Sequence, residues 1–353
     1  MLHSIRLQNF RCFESLSIDL ESAGGIFVGD NAQGKTSILE AICVLLRLSS
    51  PRAKRLQPMV KFDQESFGIA GEVSNDQVSL RVNFGKGKAT MIVDGEELST
   101  QSEYLQNSGL VVWMGNEDVE LVKGSGGVRR HYLDFLCSQI NPSYRVALSR
   151  YRKVLKARNL LLKDSGNRDK EIHAFGELLI EYGDIICAVR DEVVKDLMPR
   201  AAVVQVEISG LDEVLGMDYV SGCGGDMRRA LETTYESERR QRQTLAGPHR
   251  DEVKLTINGM PASDFASEGQ QRTMALALKL AQGEILYERG GKCPIYLLDD
   301  IFGELDSTRK NALMRHLPEG SQKLITTTNV DWLSEGIGLD SWSRFEVSAG
   351  KVC

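Results

Sequence analysis

The sequence predicts an α/β protein in which both ends of the chain build one lobe, a mixed sheet with helices plus an antiparallel meander, and a mostly helical second lobe is inserted between them. Three observations predict it. A short apolar strand pattern, Gly25–Val28, runs into the Gly-rich stretch Gly29–Thr36 and then into a helical pattern from Lys35 to Leu48. After Lys123–Gly127 the pattern changes to long apolar stripes at helical spacing. From Leu245 the α/β character returns, with apolar strand patterns at Ile295–Leu298 and Lys323–Thr327. The expected division is therefore 1–122 with 245–353 for the split lobe, and 123–244 for the insert.

In chain order, Ile5–Leu7 and Ile18–Leu20 alternate like strands around a turn-like Asn9–Glu14. Pro51–Pro58 is a basic connector. Phe67–Val73, Gln77–Phe84 and Ala89–Val93 read as an antiparallel meander that turns at Asp94-Gly95. Leu110–Met114 is a continuous apolar strand. Ser143–Lys163 and Lys170–Leu197 place apolar residues on one helical face on either side of the polar turn Asp164–Asp169, which suggests an antiparallel pair. Gly210–Gly225 reads as loop, and Asp226–Thr244 as a charged helix. Val253–Ile257 is a strand and Gly269–Glu288 a helix.

The chain of 353 residues carries 42% hydrophobic and 26% charged residues, an ordinary globular balance with ample core material. No apolar run, Ala41–Leu46 included, approaches the roughly 20 residues that span a bilayer. Met1–Arg11 lacks the pattern of a secretory signal, so a cytoplasmic location and no membrane partner are expected. The 7 cysteines form no CxxC pair, which points to scattered reduced thiols rather than zinc or a disulfide framework. The net charge of −6 argues against a generally basic surface. Yet nine Arg and Lys residues and one acid, Asp134, lie between Val128 and Lys163, a local charge suited to nucleic acid as well as to a solvated helix face. Arg129, Arg130, Arg145, Arg150, Arg152, Lys153 and Lys156 are the candidate DNA contacts.

Gly29-Asp30-Asn31-Ala32-Gln33-Gly34-Lys35-Thr36 fits the phosphate-loop pattern G-x-x-x-x-G-K-[ST] without a mismatch. In such a loop the glycines allow a tight curl, backbone N–H groups face the phosphates, and the helix N-terminus adds its dipole. Lys35 would neutralise phosphate charge and Thr36 would ligate Mg²⁺, so ATP and Mg²⁺ are the expected cofactors. Ile295–Asp300 is an apolar strand that ends in two acids. Paired with the phosphate loop, Asp299 suits the metal and Asp300 the attacking water. Ser267-Glu268-Gly269-Gln270 opens a helix as an S-x-x-Q capping box, and it also fits the S-x-G-Q signature of ABC-type ATPases. In that class Ser267, Gly269 and Gln270 would serve the nucleotide of a second subunit, so that triphosphate joins two copies.

The sequence resembles the RecF family of bacterial DNA-repair ATPases in the SMC/ABC class. Ile5-Arg-Leu-Gln-Asn9-Phe10-Arg11-Cys-Phe13, Leu121–Ser125 with Arg129-Arg130, Leu245-Ala-Gly-Pro248-His249-Arg250-Asp251-Glu252 and Ala266–Lys279 carry the resemblance, which spans nearly the whole chain. It implies an ABC-type P-loop ATPase lobe and an ATP-dependent homodimer. Weak ATPase activity would act as a switch for residence on single-stranded, gapped or junction DNA. It further implies RecO- and RecR-type mediators as partners in loading RecA, and links to replication-fork maintenance and SOS induction. Arg11 matches a nucleotide-proximal residue and Asp306 a dimer-contacting D-loop.

The sequence departs from the family in several places. The stretch Val112–Asp118 lacks the usual proline, Asn116 or Glu117 stands where a Q-loop glutamine is expected, Thr326–Thr328 occupy the switch-histidine position, and Asp300 replaces a longer Glu. His249 has no derived chemistry, and Trp113 and Tyr151 are read as packing. The alternatives are an SMC-like chromosome-organising ATPase, which needs a far longer coiled-coil arm, and a transporter-type ABC subunit, which has no comparable helical lobe. A metabolic kinase would have no use for the Ser267 signature.

Overall fold

The computed structural model describes residues 1–53, 55–73, 78–164, 166, 168–210, 212–330 and 342–352. The chain divides into two compact units, Met1–Glu117 with Gln282–Cys353, and Asp118–Ala281. The strands in chain order are β1 (Leu2–Phe10), β2 (Phe13–Asp19), β3 (Gly24–Val28), β4 (Ser66–Val73), β5 (Val78–Gly85), β6 (Lys88–Val93), β7 (Glu96–Leu98), β8 (Val111–Gly115), β9 (Leu215–Val220), β10 (Glu252–Ile257), β11 (Met260–Pro261), β12 (Ile295–Asp299), β13 (Lys323–Thr327), β14 (Ser343–Ser348) and β15 (Lys351–Val352). The helices are α1 (Lys35–Arg47), α2 (Gln101–Asn107), α3 (Glu120–Lys123), α4 (Gly126–Ile140), α5 (Pro142–Lys163), α6 (Asp169–Ser209), α7 (Met227–Gln241), α8 (Ala262–Phe265), α9 (Glu268–Gly290) and α10 (Ser307–His316).

The first unit contains two sheets. One is the antiparallel meander, ordered β2-β1-β4-β5-β6-β7. Its strand β4 alternates buried and less buried residues, as expected of a strand with one face on the core. The β1–β2 hairpin turns with Asn9 and Arg11 at positive φ, which extends both strands into the expected turn. Gln77, expected at the start of the second meander strand, lies outside the described residues.

The other sheet runs β15-β14-β3-β13-β12-β8. Strands β14, β3, β13, β12 and β8 are parallel neighbours, and β15 closes a hairpin on β14. Residues of β8, β12 and β13 are buried throughout, as parallel strands covered on both faces are, with Asp299 and Thr326 as buried polar members at the strand ends. Helix α1 buries Ile38, Leu39 and Ala41–Leu46.

In the second unit β10 pairs antiparallel with β9 and β11. Helices α5 and α6 run antiparallel: Arg158 reaches the Ile172 carbonyl near their connection, while Arg190 reaches the Tyr144 hydroxyl well away from it.

Three features differ from the sequence expectation. Helix α6 continues past Leu197 through Pro199 to Ser209. An interior proline costs about 3 kcal/mol, but beyond it Ala201, Val204, Gln205 and Ile208 are all buried, and that burial offsets the missing hydrogen bond. The expected loop at Gly210–Gly225 contains β9, whose Gly216 and Asp218 disguise the strand pattern. Finally, the β9–β10 pairing groups residues 245–281 with the second unit, whereas the sequence assigns them to the split lobe.

Candidate nucleotide site and charged hub

The phosphate loop leaves the carboxyl end of β3, and the two acids leave the carboxyl end of β12, with β13 lying between these strands. Ligand sites of open parallel sheets form at such ends. The loop's shape depends on close packing. A Cβ on Gly29 would stand 2.2 Å from the Val347 carbonyl oxygen of β14. Gly34, at φ 111°, precedes α1, and a Cβ there would meet Cys12 Sγ at 2.7 Å and the Phe13 ring at 2.8 Å. The Ala349 N–H donates to Gln33 Oε1 at 2.6 Å, tying the loop to the β14–β15 turn.

Lys35 Nζ donates to the carbonyls of Gly29 (2.7 Å) and Asp30 (2.8 Å). Burial lowers its pKa, and Asp300, Asp299 and Asp30 pull it back up. The Thr36 hydroxyl donates to Asp299 Oδ1 at 2.7 Å, and Thr326 of β13 donates to the same oxygen at 2.8 Å. Burial raises the Asp299 carboxyl while these two hydrogen bonds lower it and Glu117 adds repulsion. Asp300 sits at φ 52°, and its N–H bonds the Thr326 carbonyl and hydroxyl. Its Oδ1 is buried without a hydrogen-bond partner among the described residues. Burial raises this carboxyl, Lys35 lowers it and Glu304 raises it further.

Thr36 with Asp299 offers one hydroxyl and one carboxylate on a common point. That set fits Mg²⁺, a hard cation that takes oxygen ligands and leaves several positions to phosphate and water. Among the described residues, no group of three or more His, Cys, Asp or Glu side chains could hold a metal ion by itself.

The other predicted residues fall as follows. Arg11 Nε and Nη2 pair with both oxygens of buried Glu40 at 2.8 Å, and Nη1 donates to the Pro58 carbonyl, so its donors already bind protein. Asp306 caps α10, accepting from Arg309 N at 2.8 Å and Arg309 Nη1 at 2.7 Å. Asn116 Nδ2 donates to Glu304 Oε1 at 3.0 Å, and Glu117 accepts from the buried Trp113 indole at 3.2 Å. The Ser267–Gln270 capping box forms at the head of α9: Gln270 N donates to Ser267 Oγ and Ser267 N to Gln270 Oε1. Gln270 Nε2 also donates to Glu213. Gly269 accepts from Thr273 Oγ1. These signature residues lie in the second unit, the phosphate loop in the first.

The basic candidates separate into two groups. Arg129 pairs with Glu252 at 2.9 Å and donates to the Leu121 and Gly124 carbonyls. Arg130 donates to the Asp251 carbonyl and Arg145 to that of Ser138, and burial lowers the Arg145 pKa. These three are built into the fold. Arg150, Lys153 and Lys156 are exposed at three-residue spacing along α5, with Arg150 also over the Tyr182 ring at 5.7 Å. Arg152 is 60% exposed and pairs with Asp134 at 2.7 Å.

Sequence reasoning missed a buried hub. Arg190 donates to Asp134 (2.6 Å), Asp251 (2.6 Å), the Pro248 carbonyl (2.8 Å) and the Tyr144 hydroxyl (3.0 Å). Asp251 also accepts from Gly222 N and the Tyr219 hydroxyl. Toward the α5–α6 connection, Arg158 pairs with Glu238 at 2.7 Å and donates to Thr244 Oγ1. His249 has one ring nitrogen 3.1 Å from the Thr244 carbonyl, which can only accept, so Nε2 carries the proton and Nδ1 accepts from Tyr151 at 2.7 Å. The stretch Leu245–Glu252 therefore organises the second unit's core, and His249 serves there as a neutral two-ended bridge.

The family model described as RecF/RecN/SMC N terminal domain matches residues 1–344. The DNA replication and repair protein RecF of Shouchella clausii is 34% identical over 374 residues, covering 100% of this chain and 99% of the relative. The protein of the same description from Bacillus cytotoxicus is 36% identical over 367 residues, covering 99% of this chain and 98% of the relative. Among solved structures, the recombination mediator protein RecF–ATP in the RecFOR pathway superposes with TM-score 0.89 at 32% identity, over 100% of this chain and 96% of that one. A Pyrococcus yayanosii Smc head superposes with TM-score 0.55 at 12% identity, over 100% of this chain and 96% of that one, a likeness of fold.

Proposed function

Since the chain belongs to the family described as RecF/RecN/SMC N terminal domain, we propose that it is an ATP-dependent DNA-binding protein of recombinational repair and replication-fork maintenance. The observation that carries this reading is the convergence of Thr36 and Thr326 on Asp299 beside the phosphate loop. That geometry suits a triphosphate with its metal, and a relative of the same fold, matched over 96% of its chain, is described with ATP.

In this reading Gly29–Thr36 hold the phosphates, and Lys35 turns from the loop carbonyls to phosphate oxygens. Mg²⁺ arriving with the nucleotide would be held by Thr36 and Asp299 and would neutralise phosphate charge. Asp300, with one buried carboxylate oxygen lacking a protein partner among the described residues, orients the attacking water. Ser267, Gly269 and Gln270 complete the site of a second copy, and Asp306 lies at the same junction. Arg11 acts by fixing the β1–β2 turn against helix α1, through Glu40. By function, the ATPase lobe is 1–122 with 245–353 and the inserted lobe 123–244. The exposed row Arg150, Lys153 and Lys156 supplies phosphate contacts to gapped, junction or single-stranded DNA. RecO- and RecR-type mediators are the proposed protein partners, with hydrolysis a slow switch. Among the described residues no helix is long and apolar enough to cross a membrane, and we assign the protein to the cytoplasm.

Sedimentation with and without ATP and gapped DNA tests the reading. A dimer that needs ATP, and that Lys35→Ala shifts to much higher ATP concentration, is expected. A monomer under every condition would overturn it.

A further inference from the structure

Cys187 of α6 and Cys223 of the β9–α7 connection place their sulfurs 4.0 Å apart. We propose that this pair is a peroxide-responsive dithiol that closes reversibly to a disulfide, pinning α6 to the loop around Ser221–Gly225. The sequence separates the two cysteines by 36 positions, so nothing in their spacing announces the pair.

Several features equip it. The Ser221 hydroxyl lies 3.1 Å from Cys223 Sγ and 3.9 Å from Cys187 Sγ. The contact with Cys187 and the Ser221 hydroxyl lower the Cys223 thiol, while the contact with Cys223 and burial push Cys187 up. The Ser221 hydroxyl lies nearer the Cys223 sulfur than the Cys187 sulfur, so Cys223 is taken as the attacking thiolate and Cys187 as the resolving thiol. Cys223 is 8% exposed, which leaves access to a small oxidant but little to a large one. A disulfide needs the sulfurs about 2 Å closer. Two glycines at positive φ, Gly224 and Gly225, follow Cys223 and give that segment backbone freedom α6 lacks.

The chemistry balances with hydrogen peroxide as oxidant. The Cys223 thiolate attacks one peroxide oxygen; the S–O bond forms, the O–O bond breaks, and hydroxide leaves and is protonated to water. Cys187 sulfur then attacks the Cys223 sulfenic acid. The S–S bond forms, the S–O bond breaks, and hydroxide departs with the Cys187 proton as a second water. Both sulfurs are oxidised by one electron each, and the peroxide is reduced by two.

The closed form would act on the hub, because Gly222 N donates to Asp251 Oδ1 and Gly222 O accepts from Gly247 N. Full-length protein is treated with limiting hydrogen peroxide, remaining thiols are blocked with a maleimide, and digests are mapped by mass spectrometry without reductant. A cross-linked peptide joining Cys187 to Cys223 is expected, removed by dithiothreitol and absent from Cys187→Ser and from Cys223→Ser. Cys187→Ser should accumulate sulfenic acid at Cys223, trapped by dimedone. Circular dichroism of each variant checks that it folds, and Cys187→Ala serves if the serine variant does not. Oxidation confined to exposed Cys12 and Cys293, or sulfinic acid at Cys223 in the wild type without the cross-link, would overturn the proposal.

Discussion

Replacing Arg190 by Leu should cost the second unit about 3 kcal/mol, at the lower end of the range for breaking a buried ion pair. Arg190 is 3% exposed and joins two carboxylates, Asp134 and Asp251, of which Asp251 is wholly buried. Burial would by itself lower the guanidinium pKa, but Asp134, Tyr144 and Asp251 together raise it well above its usual value. Leucine leaves both acids without their shared cation. The loss stays at the lower end because other donors remain: Tyr144 and Arg152 on Asp134, Gly222 N and Tyr219 on Asp251. At about 2–4 °C per kcal/mol for a unit of this size, the melting transition should fall by roughly 6–12 °C. Arg190→Lys keeps the charge but loses the fork that spans both acids, and should lie between leucine and wild type. Differential scanning calorimetry of the full chain reads all three. A shift below about 2 °C for Arg190→Leu would refute the argument, since it would mean that the acids are adequately solvated or neutralised without the arginine.

Other outcomes follow from the same geometry. Lys35→Ala should weaken ATP binding about tenfold to a hundredfold, from a charged hydrogen bond of roughly 1.5–3 kcal/mol, whereas Ser267→Arg should spare binding and block dimerisation; nucleotide titration and sedimentation separate the two. Lys153→Glu with Lys156→Glu should reduce the slope of log affinity for gapped DNA against log salt by about one for each DNA phosphate that is no longer neutralised. Arg129→Glu should instead lower the melting temperature, because Glu252 then faces a like charge. His249 has a folded pKa depressed by burial, despite its bond to Thr244. Below about pH 6.5 the unfolded chain takes a proton that the folded one resists. Stability is therefore full above that pH and declines as pH falls through it, and His249→Gln should flatten the decline in melting curves recorded between neutral and mildly acidic pH.

The nucleotide elements are legible in the sequence because their determinants are local: a glycine loop between strand and helix, acids at a strand end, a capping box. The hub is not, because its partners are distant along the chain. The run Val128–Lys163 shows one acid, yet Arg158 is matched by Glu238, Arg129 by Glu252 and Arg130 by the Asp251 carbonyl. Counting charge along the chain therefore overstates the basic surface, and three of the seven basic candidates are structural. Strand β9 escapes a pattern reading since it rests on Leu215 and Met217 alone, and α6 looks finished before Pro199 because a local penalty is visible in sequence while distant burial is not. Thr326 stands out in the sequence only as a residue where a histidine is expected; its bond to Asp299 depends on β13 lying between β3 and β12.

The order β14-β3-β13 has a consequence for synthesis. Strand β3 and its loop leave the ribosome early, whereas both of their sheet neighbours are translated close to 300 residues later, a delay of about 15–60 s at ordinary elongation rates of roughly 5–20 residues per second. Until then Gly29 has no Val347 carbonyl to pack against, Gln33 has no Ala349 N–H to accept, and Thr326 is missing beside Asp299. A nascent chain thus carries the complete phosphate-loop motif without the scaffold that shapes it, and competence for triphosphate arrives in one late step rather than accumulating as the chain grows.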